Sequence, residues 1–212
     1  MKLVPDRTGR FGLRPYYEAL ELDYECDRII TQFLIEKYGK LVFPIPTDAL
    51  LVLIEREAAD VDTYADLSSE GSSVQGVTEF YPSGETKVKI AAELWECVSH
   101  HRLRTTITHE YAHVHYHSQL YARLQRSLDM YAEQPESRRC QRGRIFNTPR
   151  VDWMEWQAGY SSGALLIPIR HLLQLLTLKG VSLKCRLRIH CMVALLLTLS
   201  RKCTALQRRQ PR

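Results

Sequence analysis

Two imidazoles and a carboxylate stand within five residues of one another in His109-Glu110-Tyr111-Ala112-His113. On a helix, positions i and i+4 stack on one face, so both histidines point at one spot. Neutral imidazole is a borderline-soft donor suited to zinc. A carboxylate one residue after the first ligand projects beside the metal, where it can take a proton from water. The pattern predicts a zinc site held by His109 and His113, with Glu110 as general base. A pentapeptide is short, however, and a third ligand is needed to complete such a site.

One large class of zinc sites places that ligand in the elongated form H-E-x-x-H-x-x-G-x-x-H. Here Tyr116 stands where the glycine belongs and Gln119 where the third histidine belongs, which excludes that class. The remaining common solution is a Glu on a second helix some tens of residues downstream. The stretch from Asp152 to Pro168 fits: Glu155, Ala158, Gly159, Ser162 and Leu166 recur at helical spacing. Its small residues predict close approach to the His109 helix, with Glu155 facing the metal.

The pentapeptide followed by Glu155-Trp156-Gln157-Ala158-Gly159-Tyr160-Ser161-Ser162-Gly163-Ala164-Leu165-Leu166-Ile167-Pro168 resembles the two motifs of the ImmA/IrrE family of metallo-endopeptidases. The second of these reads roughly E-x-E-A-N-x-F-A-x-x-L-L-M-P. Glu155 matches the metal-ligating Glu, Gln157 stands at the second acidic position, and Leu165-Leu166-Ile167-Pro168 matches the closing apolar run. His117 matches a further His often found four residues after the second ligand. Gly159 replaces the usual Asn or Asp, and Tyr160-Ser161-Ser162 departs from the Phe-Ala pair. The resemblance covers about residues 40 to 168. It implies a zincin-like, gluzincin-type α+β fold, Zn2+ as cofactor, and endopeptidase activity on a helix-turn-helix repressor whose cleavage switches on a mobile element or stress regulon.

The elements that must position these residues are legible in part. Tyr17 to Lys40 reads as a helix that stops near Gly39, and Thr47 is a candidate N-cap for a second helix over Asp48 to Ala58. Strands are predicted at Val61 to Leu67, Val74 to Tyr81 and Thr86 to Ala91, the last two joined by the turn Pro82-Ser83-Gly84-Glu85. Together they predict a small antiparallel sheet packed on the helix of His109. In Thr86 to Ile90, Thr86, Val88 and Ile90 share one face while Lys87 and Lys89 share the other. Exposed lysines suggest an edge strand, to which an extended peptide could add. Residues 121 to 151, rich in Arg, Gln and Ser, read as a surface insertion.

Among the remaining candidates, His100 and His101 precede the active helix and His115 leaves the ligand face. His117 stacks one turn beyond His113 and, with Gln157 and Tyr160, is a candidate to support the ligands or touch substrate. Tyr160, Tyr116 and Arg104 are candidates to steady an oxyanion.

The 212 residues suit a peptidase domain over 1–169, with helices in 17–58. No signal peptide follows Met1, so a cytoplasmic location is expected. The longest apolar run, Cys191 to Leu199, is too short to span a bilayer. Six scattered cysteines form no C-x-x-C and read as reduced thiols.

The net charge of +5 hides a division: no Asp or Glu follows Glu155, and ten Lys or Arg lie between Arg170 and Arg212. The chain before that point therefore carries −5. Residues 170–212 are either a basic segment able to touch nucleic acid or a translated frame change. A catalytically silent zinc-binding regulator, and nucleic-acid binding through the basic segment, stand as the alternatives to a peptidase.

Overall fold

The computed structural model describes residues 1–71, 74–81, 83–96, 100–128, 138–142 and 152–178. The chain divides into two compact units, Met1–Pro168 and Ile169–Arg212. In the second, helix α6 (Ile169–Leu178) is described, and the basic residues from Lys179 onward lie outside the described residues. No described helix is long and apolar enough to cross a membrane.

The first unit is α+β. It opens with a hairpin that the sequence reading did not anticipate, β1 (Lys2–Pro5) against β2 (Leu13–Tyr16), antiparallel with Leu3 opposite Pro15. The intervening turn is built by Asp6, whose carboxylate accepts from the backbone N–H of Thr8 and of Phe11, both at 3.0 Å. Short Asx-type bonds of this kind are why Asp initiates turns. Helix α1 (Ala19–Tyr38) follows, its Glu21 carboxylate accepting from the Glu18 N–H at 2.9 Å and its end set by Gly39 at φ 69°. Leu22, Cys26, Ile29, Ile30, Phe33 and Leu34 form its buried stripe.

Helix α2 (Thr47–Glu55) begins one residue earlier than expected. Pro46, not Thr47, occupies the N-cap position. Thr47 lies within the first turn, where its hydroxyl accepts from the Arg104 guanidinium at 3.4 Å.

Strands β3 (Asp60–Ala65), β4 (Gly76–Phe80) and β5 (Thr86–Ala91) lie close to the expected positions, with Gly84 at φ 88° in the β4–β5 turn. Their arrangement differs from expectation. A short helix α3 (Glu93–Glu96) leads into helix α4 (His101–Leu128), and a further strand β6 (Arg138–Arg142) completes the sheet in the order β3-β5-β4-β6. Because β3 runs parallel to β5, the sheet is mixed rather than antiparallel.

β5 is therefore central, and the expectation of an edge strand open to an added peptide is incorrect. Alternation reports which face of a strand is wet and is silent about its neighbours. Lys87 and Lys89 lie on the outer face of an interior strand, where the Lys89 ammonium pairs with the buried Glu79 of β4 at 3.1 Å.

The stretch expected as a surface insertion, residues 121–151, holds regular structure where it is described. Helix α4 continues through residues 121–128, and Tyr121 is buried, stacked on Phe80 at 4.2 Å and edge-on to Phe11 at 5.3 Å. Arg138–Arg142 pair along β4. Residues 129–137 and 143–151 lie outside the described residues.

The main core joins α1, α2, the β3–β5 strands and α4, with Leu165 of helix α5 (Trp153–Leu166) closing it. Helix α4 is the central member, packed against α2, α5 and β4.

Its contact with the end of α2 is polar. The Tyr111 hydroxyl donates to Glu57 Oε1 at 2.7 Å, and His115 Nδ1 lies 2.9 Å from Glu57 Oε2. Burial, the largest influence, pushes the Glu57 carboxyl up, but the hydrogen bonds and charge of His115 and the Tyr111 hydroxyl together hold it below its ordinary 4.5. A carboxyl depressed on folding adds stability that is present above its unfolded value and lost as pH falls through the folded one. Tyr111→Phe is expected to cost on the order of 1 kcal/mol at pH 7. The gap to wild type should narrow below about pH 4.5, as followed by urea midpoints across pH.

Candidate metal centre

Helix α4 carries His109 and His113 on one face, fully or almost fully buried. Its preceding turns are rich in threonine, a modest helix former, and each hydroxyl is turned back on the helix. Thr105 donates to the carbonyl of His101 at 3.0 Å, Thr106 to that of Arg102 at 2.8 Å and Thr108 to that of Arg104 at 3.0 Å. Thr108 also meets Ser162 of α5, hydroxyl to hydroxyl at 2.7 Å, and Ser162 lies 3.0 Å from the Thr105 carbonyl. Ala158, fully buried, packs one turn earlier. Small side chains at this crossing bring α5 close enough for Glu155 to reach both imidazoles.

The expected set of small contact residues needs one correction. Gly159 and Gly163 face open space, with no atom within 4 Å of where a Cβ would stand. Close approach is made by Ala158 and Ser162 instead.

Helix α5 is oriented by its first turn. Asp152 caps it, accepting from the Met154 N–H at 2.9 Å, and pairs with Arg10 of the β1–β2 turn at 2.6 Å. Phe11 lies edge-on to Trp153 at 6.1 Å, and the Arg14 guanidinium sits 5.1 Å over the indole. The N-terminal hairpin thereby grips the helix that delivers Glu155.

The three donor groups stand together, each carboxylate oxygen of Glu155 facing one imidazole. His109 Nε2 and His113 Nε2 are 3.1 Å apart, Glu155 Oε2 is 3.2 Å from His109 Nε2, and Glu155 Oε1 is 3.3 Å from His113 Nε2. Tetrahedral zinc with bonds of about 2.0–2.1 Å has ligand edges of about 3.3 Å, close to each of these separations, with a different carboxylate oxygen facing each imidazole. Burial pushes the Glu155 carboxyl up, the largest single influence, yet its two neighbouring imidazoles hold it well below the usual carboxylate range. The buried group of His109, His113 and Glu155 can hold a metal ion.

Glu110 lies beside this group and outside it. It is fully buried, and its Oε2 accepts from the Thr78 hydroxyl of β4 at 2.7 Å. Beneath it runs Gly76, where a Cβ would come within 2.5 Å of Glu110 Oε1 and 2.9 Å of its Cδ. Strand β4 thus leaves a groove, and Glu110 fills it. Neither Thr78 nor Gly76 was singled out from sequence. A glycine within a strand pattern is the one available signal, since it marks close approach by another group.

His117 and Gln157 come together behind His113. His117 Nδ1 is 3.0 Å from His113 Nδ1, and its Nε2 is 3.1 Å from Gln157 Oε1. Burial, and secondly the neighbouring His113, hold the His117 imidazole well below its ordinary range.

The three oxyanion candidates are committed elsewhere. Tyr160 donates to Asp23 of α1 at 3.1 Å, and the Tyr116 hydroxyl meets the buried Cys26 Sγ at 3.6 Å. Arg104 donates to the Ile45 carbonyl and to Thr47. Each binds helix to helix, and none reaches the donor group. His115 faces Glu57, and His100 and His101 are exposed.

Two sets of variants check this geometry. Ala158→Leu forces a larger side chain into the α4–α5 crossing and should cost about 1–3 kcal/mol and impair metal binding. Gly159→Ala, one position along but facing solvent, should retain metal and gain about 0.5–1 kcal/mol from helix propensity. His113→Ala and Glu155→Ala each remove one of three donors and should lower metal affinity by more than the roughly 10–100-fold that supporting residues contribute, as measured by elemental analysis and chelator competition. Unchanged metal content in Glu155→Ala would remove Glu155 from the site. No protein-family model, curated protein or solved structure matches the chain at a significant level.

Proposed function

We propose that the protein is a zinc-dependent endopeptidase with a zincin-like, gluzincin-type arrangement of one HExxH helix and one Glu-bearing helix. The observation that carries this reading is the buried group of two Nε2 atoms and a carboxylate, whose two oxygens each approach one imidazole at 3.2–3.3 Å, beside a further carboxylate that is not part of it. His109, His113 and Glu155 would hold the ion, leaving a fourth position open. Zinc, when bound, supplies Lewis acidity, polarising a scissile carbonyl and lowering the pKa of water from about 15.7 toward about 7. Glu110 takes up the proton of the attacking water at a carboxylate oxygen and passes it to the leaving amine. Thr78, donating to Oε2, keeps that carboxylate oriented. The resemblance to the ImmA/IrrE family supports a helix-turn-helix repressor as the substrate and derepression of a mobile element or stress response as the outcome.

A second reading has one observation in its favour. Glu110 is fully buried under β4, whose other side is paired with β6, so its carboxylate faces the sheet rather than solvent. A metal-dependent regulator that binds a partner without cutting it would show this arrangement.

Incubating the zinc-loaded protein with the helix-turn-helix protein encoded nearest to it, alongside Glu110→Gln, separates the two. As a peptidase, wild type should cleave, and Glu110→Gln should keep its zinc and bind substrate while cutting about 10²–10⁴-fold more slowly. Cleavage by Glu110→Gln at the wild-type rate would exclude Glu110 as the base. Tight binding with no cleavage by either protein would favour the regulator.

A further inference from the structure

The hydrogen bonds behind His113 have only one consistent polarity, and it can be read from the far end. Pro15 of β2 offers a carbonyl, which can only accept, and Gln157 Nε2 donates to it at 3.0 Å. The other arm of the same amide, Oε1, can only accept, and it faces His117 Nε2 at 3.1 Å. His117 Nε2 must therefore carry a proton. His117 is fully buried, with a neutral amide and an imidazole as its hydrogen-bond partners, and so carries that one proton alone. Its Nδ1 is then a bare lone pair. His113 Nδ1, 3.0 Å away, must donate to it. A neutral His113 with its proton on Nδ1 has its lone pair on Nε2, the atom that belongs to the donor group.

We propose that His117 and Gln157 are positioning residues that lock His113 in the metal-binding tautomer, through a directed chain ending on the Pro15 carbonyl of the N-terminal hairpin. This proposal rests on the metal-site reading above. An imidazole without such a partner can place its proton on either nitrogen, and a proton on Nε2 blocks coordination. The chain also sets the rotation of the ring, because His113 is held at Nδ1 as well as at Nε2. Gln157 lies two residues after Glu155 on α5, so one helix presents both a ligand and the acceptor that orients another.

Two measurements test the proposal, one needing no variant. Long-range proton–nitrogen correlation spectra of metal-free wild type should show the proton of His113 on Nδ1 and that of His117 on Nε2. The opposite tautomer at either residue overturns the proposal. Zinc affinity, read by competition with a chromophoric chelator, should fall about 10–100-fold in His117→Leu and Gln157→Leu. His117→Gln, which can accept from His113 and donate to Gln157, should recover most of it. A purely structural role would lower the melting temperature of both His117 variants while leaving zinc affinity unchanged, and that result would sink the proposal while sparing the metal site. Wild-type protein that takes up no zinc would sink the metal-site reading and the proposal with it.

Discussion

The site depends on how closely α5 crosses α4. Only small side chains stand at that crossing, Ala158 against the helix face and Ser162 against Thr108, and the hydroxyl pair at 2.7 Å leaves no space for anything larger. Glu155 lies one turn before Ala158, and a carboxylate arm is short. A crossing wider by the length of a leucine side chain would leave Glu155 unable to touch both imidazoles. The crossing is secured at both ends, by Leu165 in the main core and by the grip of Arg10, Phe11 and Arg14 on the first turn of α5.

Burial makes this arrangement consequential. Removing His109, His113, His117, Glu110 and Glu155 from water is unfavourable unless each finds a partner, because an uncompensated buried charge costs several kcal/mol. Each has one here. Glu110 accepts from Thr78, Glu155 meets the His109 and His113 imidazoles, and His117 is held between His113 and Gln157. A carboxylate beside two imidazoles is a group that can hold a metal ion. Polar networks of this kind are stabilising only when complete, which is why residues as distant in sequence as Pro15 and Thr78 belong to the site.

The sheet shows how the same local pattern can be compatible with different topologies. Alternation in Thr86–Ala91 correctly marked a strand with one wet face, and the lysines do occupy that face. Their neighbour relations were not encoded in the alternation. Lys89 reaches across to the buried Glu79, and β3 joins in parallel on the other side, so lysines that looked like guards of an edge decorate an interior strand. The run 121–128 misled for a related reason. Its polar composition suggested surface, but Tyr121 is buried in it, stacked on Phe80 and edge-on to Phe11.

From sequence alone came the candidate ligands, because i, i+4 spacing on a helix is a local property: His109, His113 and the base candidate Glu110 follow from five residues. The helical spacing around Glu155 placed the third donor, and the periods of the chain located α1, α2 and strands β3 to β5 to within a few residues. What only the tertiary structure decided were the relations between segments far apart in the chain. These include the mixed sheet with β5 inside it, the groove at Gly76 and Thr78 that receives Glu110, the withdrawal of Tyr160, Tyr116 and Arg104 into helix-to-helix bonds, and the hairpin carbonyl at Pro15 that ends the histidine chain. The physical reason is one of range. Helical spacing and turn chemistry act over a few residues and leave a readable periodicity, whereas the partner of a buried polar atom is chosen by packing across the core, for which one linear pattern admits many solutions.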